Sequence, residues 1–479
     1  MNNKLERELE KALHIGENDL PQIPKSWIYV KLSAVSNRIG GGTPSRKNPE
    51  YFIGDIPWIT VADIPKDSKR PFTISNSRER ITEKAIAESS AKLIPTGSVV
   101  VSTRVSVGKV GINDKPICTN QDFSSFSFYK IDSRFAAYFL FTVAEDLKRK
   151  AIGATIKGIK TKDLDDLRFP LPPLVEQKRI VEKLDYSLNI IDKIEKDLAK
   201  AKELLKKRHE SLLQKAFRGE LVKREENDQS TLDLLNIKVS SNTDENNPYD
   251  IPENWVWLEL GDCGVITGGG TPSKKVPSFW NGNILWVSPK DMKREKINDT
   301  EDKITELAIE KSSVKLIPKN SVLFVVRSGI LRHSLPVAIN DVELTVNQDI
   351  KAITPHEFIN VSYLFYAFKC FEKSWLQEAS KIGATVESLD MEKVKKLKVP
   401  VPPLSEQLKI IERLEKEFEK EKAIVQSIER AEEKLQKMRQ SLLQKAFRGE
   451  LVEQRPEEGT GLDLLKEIIE EKLKSNKEK

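Results

Sequence analysis

The chain has 479 residues with a formal net charge of +6, and its longest apolar stretch, residues 135–144, is too short to cross a bilayer. Its cysteines, Cys118, Cys263 and Cys370, lie far apart without a CxxC pair, so neither a disulfide framework nor a zinc site organises the fold. The scattered histidines His14, His209, His333 and His356 leave little for acid-base or metal chemistry, and no metal site is expected.

Residues 1–21 are charged, predict a helix over 5–13 and contain no apolar signal-like core, so a cytoplasmic location is expected. From 22 to 170, short apolar runs such as SVVVS (98–102) alternate with Gly, Pro, Asn and Asp punctuation. That texture predicts a mixed α/β module with a helix near 136–148. Pro172 and Pro173 can precede a helix but not sit inside one. Over 171–222, Leu184, Ile191, Leu198, Leu205 and Leu212 recur at heptad spacing, with Ile194 and Ala201 between them, which is the seam of a coiled coil. Gly219 stands where a left-handed C-terminal cap is wanted. A helix of roughly 44 residues at 1.5 Å per residue is a rod of about 66 Å. Residues 223–249 are a polar linker.

The chain then repeats itself. IPKSW (23–27) returns as IPENW (251–255), GGGTPS (40–45) at 268–273, KLIP (92–95) at 315–318, and NQD (120–122) at 347–349. IGAT (152–155) returns at 382–385, PLPPLVEQ (170–177) as PVPPLSEQ (400–407), and SLLQKAFRGELV (211–222) unchanged at 441–452. The second module therefore spans 250–400, with a helix near 361–371, and the second rod spans 401–452. Its seam holds Leu414, Glu421, Ile428, Leu435 and Leu442, with Ile424, Ala431 and Met438 between; charged Glu421 and Arg208 interrupt the stripes. The tail, 453–479, repeats LDLL (232–235) at 462–465, so it could supply in space, with helix 5–13, the lead that the first module lacks in sequence. The expected fold class is α+β: two pseudo-symmetric mixed α/β modules joined by two long antiparallel coiled-coil helices.

Charge is uneven between the copies. Residues 22–170 carry 24 Lys+Arg against 15 Asp+Glu, and residues 250–400 carry 20 against 20. A basic first module suits a polyanion; the neutral second one would need its cations gathered on one face.

This doubled order of a GGTPS loop, KLIP, NQD, a P-x-P-P-L-x-E-Q helix start and a helix ending in KAFRGEL resembles the specificity subunit of type I restriction-modification systems, over nearly the whole chain. The resemblance implies two target-recognition domains that each read half of a bipartite double-stranded DNA sequence, with the paired helices setting the spacing. It also implies two methyltransferase subunits and restriction/translocase subunits as partners. Those would hold S-adenosylmethionine, ATP and Mg, while this chain holds no cofactor and catalyses nothing. Stretches that differ between the copies are free to read different bases, which nominates Arg104, Lys109, Arg327 and Arg332. The kept loop nominates Thr43, Ser45, Arg46 and Lys47, with Thr271, Ser273, Lys274 and Lys275, for phosphates; a tight turn with solvated lysines is the competing reading. Asn120, Gln121, Asn347 and Gln348 could bond adenine edges but are read first as structural; Lys157, Lys160 and Lys162 either touch the DNA backbone or form a solvated face; Trp27, Trp58, Trp255 and Trp286 are read as core. The identical helix ends nominate Phe217, Arg218, Leu221, Phe447, Arg448 and Leu451 as two equivalent docking sites for methyltransferase subunits, against an end-of-rod packing motif. GGGTPSRK lacks the GK[ST] of a phosphate loop, and NPEY (48–51) has no cofactor glycine loop beside it. The alternative function is a two-module protein adaptor that does not bind DNA.

Overall fold

The computed structural model describes residues 2–13, 20–144, 148, 159–223, 231, 247–381 and 386–475. The repeated IGAT segments, Lys157, His14, most of the linker and the first LDLL lie outside them. Two compact units are present: Met1–Asp197 with Arg430–Lys479, and Leu198–Glu429. The division passes through both long helices, so each unit holds one module together with part of each rod.

The principal helices are α1 (Asn2–Leu13), α2 (Ser133–Thr142), α3 (Leu174–Phe217), α4 (Val361–Ala379), α5 (Leu404–Arg448) and α6 (Gly461–Ser475). In the first unit the strands are β1 (Ile28–Lys31), β2 (Ser36–Gly40), β3 (Ile56–Ile59), β4 (Phe72–Ile74), β5 (Glu79–Ile81), β6 (Val99–Ser102), β7 (Val110–Asn113), β8 (Cys118–Thr119), β9 (Phe123–Phe128) and β10 (Arg168–Leu171). The second unit has β11 (Val256–Glu259), β12 (Gly264–Gly268), β13 (Trp280–Val287), β14 (Lys296–Ile297), β15 (Asp302–Ile304), β16 (Leu316–Ile317), β17 (Val322–Val325), β18 (Val337–Asn340), β19 (Leu344–Val346), β20 (Ile350–Pro355) and β21 (Lys398–Val401).

Each module centres on a five-stranded sheet, β2-β9-β6-β7-β4 in one and β12-β20-β17-β18-β14 in the other. The middle strands, VVVS of β6 and VLFV of β17, are fully buried, as β-branched and aromatic runs between two antiparallel neighbours should be. A smaller sheet, β5-β3-β8 or β15-β13-β19-β16, flanks it. A third pairing closes the module on itself: β1 meets β10 (Ile28 with Leu171), and β11 meets β21 (Val256 with Val401). The first strand therefore lies beside the chain just before it enters the long helix.

The helices behind the sheets begin where a side chain can hold their first amides. Asp132 accepts from the amides of Arg134 and Phe135, and Asn360 from those of Ser362 and Tyr363. The glutamine of the helix-start motif then ties cap to rod. Gln177 accepts from the Asp132 amide (3.0 Å) and donates to the Pro172 carbonyl (3.0 Å); Gln407 does the same with Asn360 (2.8 Å) and Pro402 (2.9 Å).

Within each unit the rods run antiparallel. In the first, Arg439 on α5 reaches Asp192 (2.6 Å) and Glu195 (3.3 Å) on α3, while Gln454, just past α5, donates to Glu176 in the first turn of α3. In the second, Arg208 on α3 binds Glu417 and Glu421 on α5, the latter at 2.9 Å. The heptad column is buried at Leu184, Ile191, Leu414, Glu421, Ile428 and Leu435. The intermediate positions correct the sequence reading: Ile194, Ile424 and Met438 are 41%, 45% and 46% exposed. Where these positions face solvent, charged contacts from Arg208 and Arg439 link the two helices in place of a second apolar column.

The tail is part of the first unit. Leu464, Leu465, Ile468 and Ile469 of α6 are buried, α1 packs against α6, and the Gly461 amide donates to the Ser26 carbonyl (2.7 Å). In the second unit the Thr231 amide makes the same bond to Asn254 (3.2 Å), at the repeat-equivalent positions. Lys472 donates to the carbonyls of Ser33, Ala34 and Ser36, and burial pushes its ammonium below the ordinary lysine value.

Candidate functional site

In both modules the kept loop and the NQD turn form one construction. A Cβ on Gly41 would stand 1.8 Å from the Asn120 carbonyl oxygen, and one on Gly269 would stand 2.0 Å from that of Val346, so the glycines are required by backbone approach. Above them the Thr43 hydroxyl bonds to Gln121, and Thr271 to Gln348. Asn120 and Asn347 each donate to the carboxylate two residues on, Asp122 (2.8 Å) and Asp349 (3.2 Å), and accept that residue's amide. The indoles of Trp58 and Trp286 donate to the Gly42 and Gly270 carbonyls, both at 3.0 Å. Glycine, threonine, asparagine, glutamine and tryptophan thus cooperate in one folded platform. Sequence comparison recognised its parts but not their connection, because the bonded pairs lie 77 and 78 residues apart.

On this platform the nominated side chains fall into two groups. Ser45 and Ser273 accept the amides of Lys47 (3.4 Å) and Lys275 (3.3 Å), closing the turn. Lys47, Lys274 and Lys275 are exposed and have no side-chain partner among the described residues. Arg46 differs from its counterpart Lys274: its guanidinium grips Glu79 through two bonds of 2.6 and 2.7 Å and lies over the rings of Phe52 and Trp58. The hydrogen bonds from Arg46 hold the Glu79 carboxyl below the usual range. Among the divergent candidates, Arg104 is exposed without a partner among the described residues, whereas Arg327 binds Asp349 (2.6 Å) and Arg332 binds Glu387. Lys109 donates to the Lys66 carbonyl. Arg327 and Arg332 are exposed while their carboxylate partners are half-buried, so each pair keeps a solvated guanidinium that a second anion can also reach. Asp349, met in the sequence only as part of the NQD repeat, and Glu387 set where the second module's arginines point.

The identical helix ends require a correction. Phe217 is 0% exposed and packs on Tyr363 and Phe371, with centroids 4.9 and 5.5 Å away; Phe447 is 8% exposed and packs on Phe135 and Phe139 at 5.2 and 5.6 Å. Both rings belong to their unit's own core and offer no docking surface. Gly219 (φ 74°) and Gly449 (φ 73°) adopt the expected left-handed caps, and a Cβ there would stand 2.4 Å from Pro252 and 2.3 Å from Pro24. The repeated IPxxW segment is what each helix end packs on, which explains by folding much of what the twelve letters preserve. Arg218 and Arg448 remain exposed, and Leu221 and Leu451 half-buried.

Nothing in this arrangement resembles a catalytic centre. Burial pushes the thiols of Cys118, Cys263 and Cys370 up to about 12, so none is a ready nucleophile. Among the described residues no cluster of His, Cys, Asp and Glu could hold a metal, and no helix is long and apolar enough to cross a membrane.

Comparison with known proteins agrees with this architecture. The family model of the type I restriction modification DNA specificity domain matches twice, at residues 24–203 and 252–430. The specificity subunit of the type I restriction enzyme MjaIX from Methanocaldococcus jannaschii is 29% identical over 441 residues, covering 91% of this chain and 96% of that protein. The EcoR124I/EcoR124II specificity subunit from Escherichia coli is 48% identical over 161 residues, but that match covers only 33% of this chain and 40% of the other protein. In fold, a chain of a type I R-M system solved for its complex assembly aligns with TM-score 0.69 at 19% identity, over 90% of this chain and 99% of the other. The HsdS subunit from Thermoanaerobacter tengcongensis gives TM-score 0.56 at 18% identity, over 89% and 98%. With the family domain matched in both copies and a specificity subunit aligned along nearly its whole length, the chain belongs to the type I restriction modification DNA specificity family.

Proposed function

We propose that the chain is the non-catalytic specificity subunit of a restriction-modification complex, with residues 22–170 and 250–400 each reading one half of a split double-stranded DNA site. The observation that carries this reading is one folded platform built twice, each copy beside a cation-bearing loop whose sequence otherwise differs, 103–111 against 326–338. Thr43, Gln121, Asn120 and Asp122 match Thr271, Gln348, Asn347 and Asp349 in their bonding, while Arg104 is unpartnered among the described residues and Arg327 is fixed on Asp349. A constant frame with loops that differ beyond the shared arginine lets two half-sites differ without a change of fold.

Ser45, Lys47, Ser273, Lys274 and Lys275 contact phosphates, with Thr43 and Thr271 shaping the loop. Arg46 serves mainly to brace Glu79. Arg104, Lys109, Arg327 and Arg332 are the base readers. The rods, 171–222 and 401–452, set the distance between half-sites, and 1–21, 223–249 and 453–479 are the connecting pieces. Methyltransferase subunits dock on surfaces that include Arg218, Leu221, Arg448 and Leu451. Those subunits and the restriction subunits bring S-adenosylmethionine, ATP and Mg, and the complex works in the cytoplasm.

The test is module exchange. Replacing residues 23–169 with the corresponding module of another family member, then sequencing the host methylome, should change one half of the split motif and leave the other half and the spacer intact. Change in both halves refutes independent reading. Absence of salt-dependent binding to duplex DNA, with and without the methyltransferase subunit, would instead favour a protein adaptor.

A further inference from the structure

Because the chain builds the same frame twice, each unit shows what the other lacks. In the second unit the Tyr249 ring packs edge-on against Trp257, with centroids 5.0 Å apart, and the Arg218 guanidinium lies over it at 4.7 Å. The Tyr249 hydroxyl donates to the Phe217 carbonyl (2.8 Å), and its own carbonyl accepts from the Trp257 indole (3.3 Å). Pro21 holds the corresponding position in the first unit. Its carbonyl accepts from the Tyr29 hydroxyl (3.0 Å), and Tyr29 is the repeat counterpart of Trp257.

Pro21 has no aromatic ring to send inward, and Val143 replaces the larger Phe371, while Phe139 stands where the second unit has Ala367. Among the described residues a cavity of about 540 Å³ opens here, lined in part by Pro21, Tyr29, Phe139, Val143, Phe447 and Arg448, and also by Asp163 and Asp166. Two polar groups at this site lack what their counterparts have. No hydroxyl reaches the Phe447 carbonyl among the described residues, and Arg448 is exposed with no ring beneath it there. A third group is independent of the comparison: Arg168 lines the same cavity, and its Nη1 is buried without a hydrogen-bond partner among the described residues. A buried donor in that condition calls for an acceptor.

We infer that this cavity is a socket for a tyrosine side chain presented by another protein chain. The ring fills the space over Phe139 and Phe447, the hydroxyl donates to the Phe447 carbonyl, and Arg448 covers the exposed face. Arg168 meets the phenolic oxygen or a carbonyl of the same segment. The chain's own Tyr249 is the template for the hydroxyl and guanidinium contacts. Phenylalanine would satisfy the apolar walls and leave the carbonyl and Arg168 as they are, so the hydroxyl is part of the specificity. The inference does not depend on what the modules read.

N-acetyl-tyrosinamide and N-acetyl-phenylalaninamide, titrated into the full chain with detection by ligand-observed NMR, test it directly. The wild-type chain should show one saturable site that prefers the tyrosine amide by about fivefold, the worth of one net hydrogen bond. Pro21→Tyr should fill the socket from within and abolish the site. Tyr249→Ala should open a second one. No saturable site in the wild type, a site unaffected by Pro21→Tyr, or equal affinity for the two amides overturns the proposal. For the occupant, benzoylphenylalanine placed at position 143 should crosslink in cells to a tyrosine-containing segment of a different chain. A crosslink within this chain, to a segment without tyrosine, or none at all refutes it.

Discussion

Replacing Phe217 by alanine separates the two meanings that its repeated sequence suggested. The ring is completely buried and touches Tyr363 and Phe371, and Phe371 stacks on Trp375 at 5.6 Å. Loss of a fully enclosed phenylalanine costs roughly 3–5 kcal/mol through lost transfer energy and the cavity left behind. That is a large share of a domain's usual ~5–15 kcal/mol. With a denaturant slope near 3 kcal/mol per molar, at the upper end for small proteins, the urea midpoint of the second unit should fall by about 1–1.7 M. Tryptophan emission is the natural probe, because Trp255, Trp257, Trp280, Trp286 and Trp375 lie in that unit against only Trp27 and Trp58 in the other. A variant that unfolds within about 0.3 M of wild type yet fails to assemble with methyltransferase subunits would refute the packing argument and restore the docking one.

Gly449→Ala and Gly219→Ala should each destabilise their own unit by about 2–4 kcal/mol, combining a left-handed backbone penalty with overpacking against Pro24 or Pro252, read as a drop in melting temperature. Hydrogen bonds from Lys420 and then Arg208 hold the Glu417 carboxyl down to about 2, below its ordinary 4.5. Its contribution is therefore complete above about pH 4.5 and disappears as the pH falls towards 2. Near-ultraviolet circular dichroism should show the second unit loosening across that window, and Arg208→Met should shift the transition to higher pH; a transition insensitive to that change would dismiss the seam as its origin.

Much of this frame was legible because prolines and glycines act on single dihedral angles. Pro172, Pro173, Pro402 and Pro403 announced the starts of α3 and α5, and Gly219 and Gly449 their ends, without reference to anything distant. Burial at the rod ends was not legible, because nothing local distinguishes a phenylalanine that docks a partner from one that meets Tyr363 from another part of the chain. The seam was half legible for the same reason. Heptad spacing located the buried column, but which polar residues replace the second depends on Asp192, Glu195, Glu417 and Glu421, each contributed by the opposite helix. The candidate interface followed this rule too: its cations were visible one by one, whereas the part of Asp349 and Glu387 in orienting two of them was not.

The glutamine tie at Gln177, repeated at Gln407, has a mechanical consequence. One amide side chain holds both the residue just before a helix inside the module and the first of the two prolines before the rod, and its neighbour Glu176 also receives the Trp27 indole at 2.9 Å. Torque applied to the inner helix therefore reaches the rod's first turn directly through that side chain. The loops 103–111 and 326–338 differ between the copies, while the bonds that fasten each module to the start of its own rod are kept.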